Sequence, residues 1–293
     1  MTTNVISSVG IIGCGWLGKA LAHQLQQQNI NVLATRSNTD NVKALRSEGI
    51  NAEVLCLPDE QKQLNNHPVF NMQCLVIAIT PQFKRGRKDY GDKVEQILLA
   101  AKSSEKVENV ILLSSSAVYN GLTGQVNELA ELAFSADKVT VLNQAEQATL
   151  SFGLGDSTRD NASKSKRGCV VRLAGLVGPN RHPGTFLRHG RMLKSPQAKV
   201  NLIHQKDAVG IILSLMNSPT AYGIFNGVSA THVSKKEYYQ TAASALNIKP
   251  PNFEAETSSD PQAVRIVCGD KVTNELSYQF AYPDLLAWLS EEN

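Results

Sequence analysis

A glycine-rich run near the N-terminus is the first group of residues whose types and spacing indicate chemistry. Gly13, Gly15 and Gly18 form a G-x-G-x-x-G pattern between a short apolar segment and an amphipathic helical pattern. Glycines also serve ordinary tight turns, but this placement between strand and helix is typical of dinucleotide binding. Gly13 would make the turn, Gly15 would let the backbone approach a pyrophosphate, and Gly18 would let helix and strand pack closely. Because a helix N-terminus offers free N–H groups to phosphates, Trp16 and Leu17 join the predicted cofactor contacts.

The end of the second predicted strand indicates which dinucleotide binds. An NAD site usually has Asp or Glu at this point, which accepts hydrogen bonds from the ribose 2′-hydroxyl. This chain has Thr35, Arg36 and Ser37 instead. A guanidinium can pair with a 2′-phosphate through two hydrogen bonds, and the Ser37 hydroxyl can add another donor. A solvated arginine at a strand end is the alternative, and we predict NADP(H) as the cofactor.

Three further stretches resemble motifs of the extended short-chain dehydrogenases and nucleotide-sugar epimerases. They are residues 111–119 (ILLSSSAVY), 172–179 (RLAGLVGP) and 201–207 (NLIHQKD), which are similar to S-S-x-x-V-Y, R-x-x-x-x-Y/V-G-P and N-x-I/V-H-x-x-D. With the glycine run they cover most of the chain between residues 9 and 216. Pro250-Pro251 and Tyr282-Pro283 resemble a smaller branch of epimerase-like proteins. The resemblance implies a dinucleotide-binding fold with a substrate-covering lobe.

The resemblance also implies a role for the serines that follow the fifth predicted strand. In that family the second serine of S-S-x-x-V-Y, four residues before the tyrosine, hydrogen-bonds the reacting oxygen of the substrate. This position is Ser115, although a serine at a strand end is often only a cap or turn residue. Three serines in a row at the carboxyl end of a central strand face the ligand crevice. Ser114, Thr80 after the fourth predicted strand and Ala174 after the sixth complete the predicted cofactor contacts.

The proton donor of the family has no counterpart in this chain. Members carry Tyr-x-x-x-Lys on the next helix, with a glutamate four residues after the lysine, and the lysine lowers the pKa of the tyrosine. If Glu146 matches that glutamate, Lys138 and Leu142 occupy the tyrosine and lysine positions. None of the seven tyrosines has a lysine four residues later. Lys138 becomes the candidate donor, because partial burial could lower its pKa, and a water molecule is the alternative.

Two more residues are weaker candidates. His204 resembles the histidine that precedes the family's V-D helix, which is usually structural. Arg181 follows the sixth predicted strand and could bind an anionic substrate, but a solvated arginine is an equal alternative.

Apolar segments that alternate with helical patterns predict the elements that position these residues. The six predicted strands are residues 9–12, 31–35, 52–57, 74–79, 110–114 and 169–173. Such alternation is typical of a parallel sheet covered by helices on both faces. We predict an α/β fold with a Rossmann doubly wound sheet in residues 1–178. A smaller substrate lobe would occupy residues 179–293, with segments returning to the sheet. We also expect an exposed loop over residues 155–168 and a helix near residues 186–193.

Composition excludes several classes of protein. The chain has 293 residues, of which 42% are hydrophobic and 19% charged, and its net charge is +3. This balance provides no basic stripe for a nucleic acid, and the apolar stretches are too short to span a membrane. The five cysteines are widely spaced, which indicates free thiols rather than a metal site or a disulfide framework. We expect a cytoplasmic monomer or homodimer.

Two functional hypotheses remain. The first is an NADP(H)-dependent oxidoreductase or epimerase that acts on a carbonyl or sugar, including nucleotide-sugars. The second is a non-catalytic NADP(H) sensor, which the absent Tyr-x-x-x-Lys pair favours. The serine run and the substrate lobe favour the enzyme.

Overall fold

The computed structural model describes residues 6–153, 166–187, 192–254 and 265–291. The predicted helix near residues 186–193 and the predicted loop over residues 155–168 lie partly outside these ranges. In the described part, a short 3-10 helix covers Pro183–Leu187, and Arg167 and Gly168 already belong to a strand.

The main feature of the fold is a seven-stranded sheet. Its strands are β1 (Ser8–Ile12), β2 (Asn31–Arg36), β3 (Ala52–Val54), β4 (Cys74–Ile77), β5 (Asn109–Ser115), β7 (Arg167–Leu173) and β10 (Gly223–Gly227). Their order across the sheet is β10-β7-β5-β4-β1-β2-β3, and β1, β2, β3, β4 and β5 pair in parallel. The predicted doubly wound α/β fold is confirmed.

Helices connect these strands. They are α1 (Trp16–Gln27), α2 (Thr39–Ser47), α3 (Gln61–Asn65), α4 (Tyr90–Ser103), α5 (Asp137–Leu150) and α6 (Gln205–Asn217). Helix α1 buries the apolar stripe of Leu17, Leu21 and Leu25, because residues spaced by four lie on one face. Helix α2 begins after Asn38, whose side chain accepts a hydrogen bond from the N–H of Asn41 at 2.9 Å.

The predicted third strand is longer than the observed one. We expected it to extend to residue 57, whereas β3 ends at Val54. Pro58 follows soon after, and a proline cannot donate to a strand ladder.

The chain forms two compact units. The first consists of Met1–Ser115, Asp137–Arg172 and Ile212–Ile224, and the second of Ser116–Ala136, Leu173–Ile211 and Phe225–Asn293. The first unit contains β1 to β5 and α1 to α5.

The second unit contains short elements. They are β6 (Gln125–Val126), β8 (Gly175–Val177), β9 (Leu202–His204), β11 (Ile266–Val267), α7 (Lys235–Ala245), α8 (Asp270–Leu276) and α9 (Leu285–Glu291). Strand β6 pairs with β11, and β8 pairs with β9, both in parallel. An apolar cluster that includes Tyr238, Leu285, Trp288 and Leu289 forms its core. Asp207 is fully buried, and its carboxylate accepts hydrogen bonds from the Tyr278 hydroxyl at 2.8 Å and the Ala281 N–H at 2.6 Å.

Candidate cofactor and active site

The glycine-rich loop turns at the carboxyl end of β1, with little room for a side chain at Gly13 or Gly18. Gly13 has a φ of +89°, and a Cβ there would lie 2.9 Å from the backbone nitrogen of Ile79. A Cβ on Gly18 would lie 3.3 Å from both the Cys14 sulfur and the Ile11 side chain. These two glycines therefore perform the turn and the close packing that their spacing predicts.

Gly15 lies at the open side of this loop. A Cβ there would meet only the Arg36 Nη1 at 3.5 Å and the Gly13 carbonyl oxygen at 4.0 Å. Gly15 is also the N-cap of α1, and no side chain caps that helix end. The start of α1 thus combines free space with the positive end of the helix dipole, which fits a phosphate group. Burial raises the pKa of the neighbouring Cys14 thiol to about 11, so that thiol stays protonated near neutral pH.

Arg36 joins the end of β2 to the glycine-rich loop. Its Nη1 donates to the Cys14 carbonyl oxygen at 3.0 Å, and the side chain is half-buried. The buried Thr35 hydroxyl lies 3.3 Å from the Gly13 N–H, from which it accepts a hydrogen bond. Ser37 is exposed just beyond. The guanidinium at the end of β2 is therefore held against the backbone of the glycine-rich loop.

Register brings the other predicted residues of this unit to the same edge of the sheet. Ile12 pairs with Thr35 on one side and with Ile77 on the other, and Ile77 pairs with Leu112. The loops after β1, β2 and β4 therefore leave the sheet at nearly the same level, and β5 extends three residues further at this edge, to Ser115. The strand order reverses between β1 and β4, and ligands of doubly wound sheets bind outside the carboxyl ends at such a switch point. Thr80, three residues past the end of β4, is exposed at this edge.

A buried ion pair fixes the carboxyl end of β5. Glu146 of α5 is 0% exposed and Arg172 of β7 is 2% exposed. Arg172 donates from Nη2 to Glu146 Oε2 at 2.7 Å and from Nε to both carboxylate oxygens at 3.1 and 3.2 Å. The Ser114 hydroxyl donates to Glu146 Oε1 at 2.5 Å. Ser114 is thus committed to this buried group, and sequence reasoning did not predict the contact. The only sign of this contact in the sequence is that Glu146 and Arg172 are charged residues within largely apolar elements, because a buried charge needs a partner.

Ser115 and Lys138 lie at the same end of the unit. Ser115 is the last residue of β5 and is half-buried. Lys138 is half-buried in the first turn of α5, two turns before Glu146. The neighbouring Asp137 is bound by Lys88, which follows β4, so the start of α5 lies beside the β4 loop. Leu142, in the position of the family's lysine, is fully buried.

Tyr90, Tyr119 and Tyr222 do not replace the missing proton donor. In the first unit, Tyr90 is 1% exposed and burial raises its pKa, while the Tyr222 hydroxyl donates to the Leu150 carbonyl oxygen at 3.2 Å. In the second unit, Tyr119 of the S-S-x-x-V-Y motif is fully buried and donates to Asn226 Oδ1 at 2.8 Å. Each hydroxyl is therefore either buried or bound within the protein.

The other candidates also lie in the second unit. The Ala174 N–H donates to the Gly227 carbonyl oxygen at 2.9 Å, and Arg181 is exposed in the loop after β8. His204 is 4% exposed, and its ring lies 4.0 Å from that of Tyr282 and 5.1 Å from that of Trp288. These neighbours are those of a histidine in a packed core.

The described residues contain no group of three or more His, Cys, Asp or Glu side chains that could hold a metal ion. The same part of the chain has no helix long and apolar enough to cross a membrane.

Comparisons with known proteins extend over the whole chain. Residues 8–82 match the family model described as NADP oxidoreductase coenzyme F420-dependent. Protein YeeZ of Escherichia coli K12 is 28% identical over 288 residues, which cover 96% of this chain and 98% of that protein.

Solved structures show the same architecture. The structure of MoeE5 with UDP-glucose and NAD superposes with a TM-score of 0.74 at 17% identity, over 97% of both chains. The human epimerase family protein SDR39U1 with NADPH gives a TM-score of 0.72 at 18% identity, over 97% of this chain and 98% of that one. The chain therefore has the Rossmann-type α/β fold of these structures, which is the fold that its motifs predict.

Proposed function

We propose that the protein is an NADP(H)-dependent oxidoreductase or epimerase that acts on a carbonyl group of a sugar or another small molecule. The observation that carries the proposal is the Arg36 guanidinium held 3.0 Å from the Cys14 carbonyl of the glycine-rich loop. No carboxylate occupies the end of β2, where it would repel a 2′-phosphate. The structure of SDR39U1 with NADPH and that of MoeE5 with UDP-glucose and NAD, both of this fold, support the choice of cofactor type and substrate class.

Different residues of the first unit would bind different parts of the cofactor at the carboxyl edge of the sheet. Gly13, Gly15 and Gly18 give the pyrophosphate access to the start of α1, with Trp16 and Leu17 beside it. Arg36 and Ser37 bind the 2′-phosphate. A nicotinamide held by these residues would provide hydride-transfer chemistry at this edge of the sheet.

Ser115 is the group we assign to the reacting oxygen. Because Glu146 binds the Ser114 hydroxyl, the end of β5 is held in place and the next residue is preorganised as a hydrogen-bond donor. Lys138 would exchange the proton, because no tyrosine occupies that helix position.

A non-catalytic NADP(H) sensor is the second candidate. The observation that favours it is Leu142, a buried apolar residue where the family has the lysine that activates its tyrosine. The enzyme and the sensor would bind the cofactor at the same site, but only the enzyme would convert a substrate.

Replacement of Arg36 by Asp tests the cofactor. We expect the wild-type protein to bind NADPH more tightly than NADH and the variant to reverse this order. Loss of a charge-assisted contact should weaken NADPH binding by about 10- to 100-fold. Fluorescence titration measures both affinities, and Lys43→Asp, which reverses an exposed charge on α2, is the matched control. Equal NADPH and NADH affinities in the wild-type protein would refute the assignment.

A substrate screen tests the reaction, with NADPH absorbance as the readout for net oxidation or reduction and product analysis by NMR as the readout for epimerisation, which leaves the cofactor unchanged overall. For any carbonyl or sugar that turns over, Ser115→Ala should lower kcat by about 100- to 1,000-fold, since it removes a preorganised donor. Lys138→Met should lower it by at least about 100-fold. Ser103→Ala, on the exposed face of α4, is the control and should leave kcat unchanged. Tight NADPH binding with neither an absorbance change nor an epimerised product in a broad screen would support the sensor instead.

A further inference from the structure

A cationic segment follows β4 and is not used by the proposed chemistry. We call residues 82–88 (QFKRGRK) the basic turn, because four of its last five residues are Lys or Arg. Lys84, Arg85, Arg87 and Lys88 are all exposed.

The backbone of the basic turn has a defined conformation. Residues Phe83–Arg85 form a 3-10 helix, with Gln82 at φ 54° before it and Gly86 at φ 72° after it, both left-handed. The Arg85 N–H donates to the Gln82 carbonyl oxygen at 2.8 Å, and the Gly86 N–H donates to that of Phe83 at 2.9 Å. The left-handed conformation is unfavourable for a residue with a Cβ such as Gln82, and strain of this kind is found preferentially at ligand sites.

The basic turn lies in the segment that joins β4 to α4. The strand order reverses between β1 and β4, so the loops that follow these two strands border the same crevice. The start of the segment after β4 contacts the glycine-rich loop, since a Cβ on Gly13 would lie 2.9 Å from the nitrogen of Ile79, three residues before the basic turn. At its other end, the turn is attached to the start of α5 through the ion pair of Lys88 with Asp137.

Two of the four cations are neutralised within the first unit, and two are not. Arg87 donates to the Asp89 carboxylate at 2.5 and 3.1 Å, which lowers the pKa of that acid. Lys88 binds Asp137. Within the described residues, no ion pair involves Lys84 or Arg85. The basic turn therefore carries, in the loop after β4, two exposed cations that no ion pair of the described residues involves.

We propose that Lys84 and Arg85 form a binding site for a phosphate group of the ligands that occupy this crevice. The inference rests on the proposed function, because it assumes that a dinucleotide binds at the glycine-rich loop. The phosphate could belong to the substrate, which would then be a phosphorylated or nucleotide-linked compound, or to the cofactor itself. In either ligand, phosphate oxygens would accept hydrogen bonds from the Lys84 ammonium and the Arg85 guanidinium.

Two titrations of the double variant Lys84→Gln/Arg85→Gln test the site and distinguish the two sources. In the first, inorganic pyrophosphate is titrated by calorimetry into protein saturated with NADPH, so that the glycine-rich loop is already filled. In the second, NADPH is titrated into the free protein. The matched control is Lys43→Gln/Lys62→Gln, which removes two exposed charges from α2 and α3.

We expect the double variant to lose about tenfold in affinity in one of the two titrations at low salt, whereas the control loses none. The loss should shrink at physiological ionic strength, where the screening length is about 8 Å. A loss in the pyrophosphate titration assigns the site to the substrate, and a loss confined to NADPH assigns it to the cofactor. Unchanged affinities in both titrations would overturn the proposal.

The experiment distinguishes failure of the proposed function from failure of the phosphate site in the basic turn. If the wild-type protein binds no NADPH, pyrophosphate titrated into the free protein still tests the basic turn. Weaker binding by the double variant would then support the anion site while contradicting the cofactor assignment. Since both side chains are exposed, the thermal melting temperature of the double variant should equal that of the wild type.

Discussion

At the scale of single residues, His204 shows how burial determines the chemistry of a side chain. Its Nδ1 accepts a hydrogen bond from the Lys206 N–H at 3.1 Å, and the ring packs against Tyr282 and Trp288. Removal from water disfavours the imidazolium and lowers the pKa of His204 to about 4, although Asp207 nearby acts in the opposite direction. At neutral pH the ring is therefore an uncharged part of the core.

Because of His204, the free energy of unfolding should decrease as the pH is lowered. The unfolded chain takes up a proton on His204 near pH 6.5 and the folded protein only near pH 4. The contribution of the neutral ring is therefore complete above pH 6.5 and is lost as the pH falls from 6.5 to 4. The loss amounts to about 3 kcal/mol.

Urea unfolding at pH 7 and at pH 4.5 measures the difference. His204→Asn keeps a hydrogen-bond acceptor and should reduce the drop in unfolding free energy between the two pH values. His23→Asn, at an exposed position of α1, should leave the drop unchanged. If both variants show the wild-type drop, His204 does not titrate as its burial indicates.

At the scale of elements, the Glu146–Arg172 pair connects α5, β5 and β7. Glu146 lies on α5, Arg172 on β7, and Ser114 of β5 donates to the same carboxylate. Both charges are almost completely buried, so each depends on the other. Removal of one partner from such a pair is more costly than replacement of both by apolar side chains.

Single and double substitutions of this pair should therefore change the free energy of unfolding by different amounts or in opposite directions. Glu146→Gln leaves the Arg172 charge buried without its counter-ion and should lower the free energy of unfolding by about 3–5 kcal/mol. Glu146→Leu/Arg172→Met removes both charges and should recover most of that loss. Denaturant unfolding of the three proteins provides the measurement. A double variant as unstable as the single one would mean that the pair contributes through its hydrogen bonds to Ser114 rather than through mutual neutralisation.

At the scale of the whole molecule, each of the two compact units is made of three chain segments. The first unit collects Gly13, Arg36, Thr80, Ser115 and Lys138, whereas Ala174 belongs to the second unit. Their roles in binding and catalysis, and the division of the chain at residue 178, stay predictions.

The sequence by itself determined the fold class and the position of the glycine-rich loop. Apolar strands, helical stripes and the spacing of Gly13, Gly15 and Gly18 are local patterns, because backbone geometry repeats over a few residues. Local patterns also placed the starts of β1, β2 and β4 within one residue of those observed. The end of β3 was wrong, since apolar residues continue after the strand has left the sheet.

Only the tertiary structure decided which distant side chains meet. The Arg36 contact with Cys14, the Ser114 bond to Glu146, and the ion pairs Glu146–Arg172 and Lys88–Asp137 join residues 22 to 49 positions apart. No periodicity encodes such pairs, because they depend on sheet order and helix packing. The physical reason is that a buried charge must find a partner wherever the fold provides one, and that partner is set by three-dimensional proximity rather than by spacing along the chain.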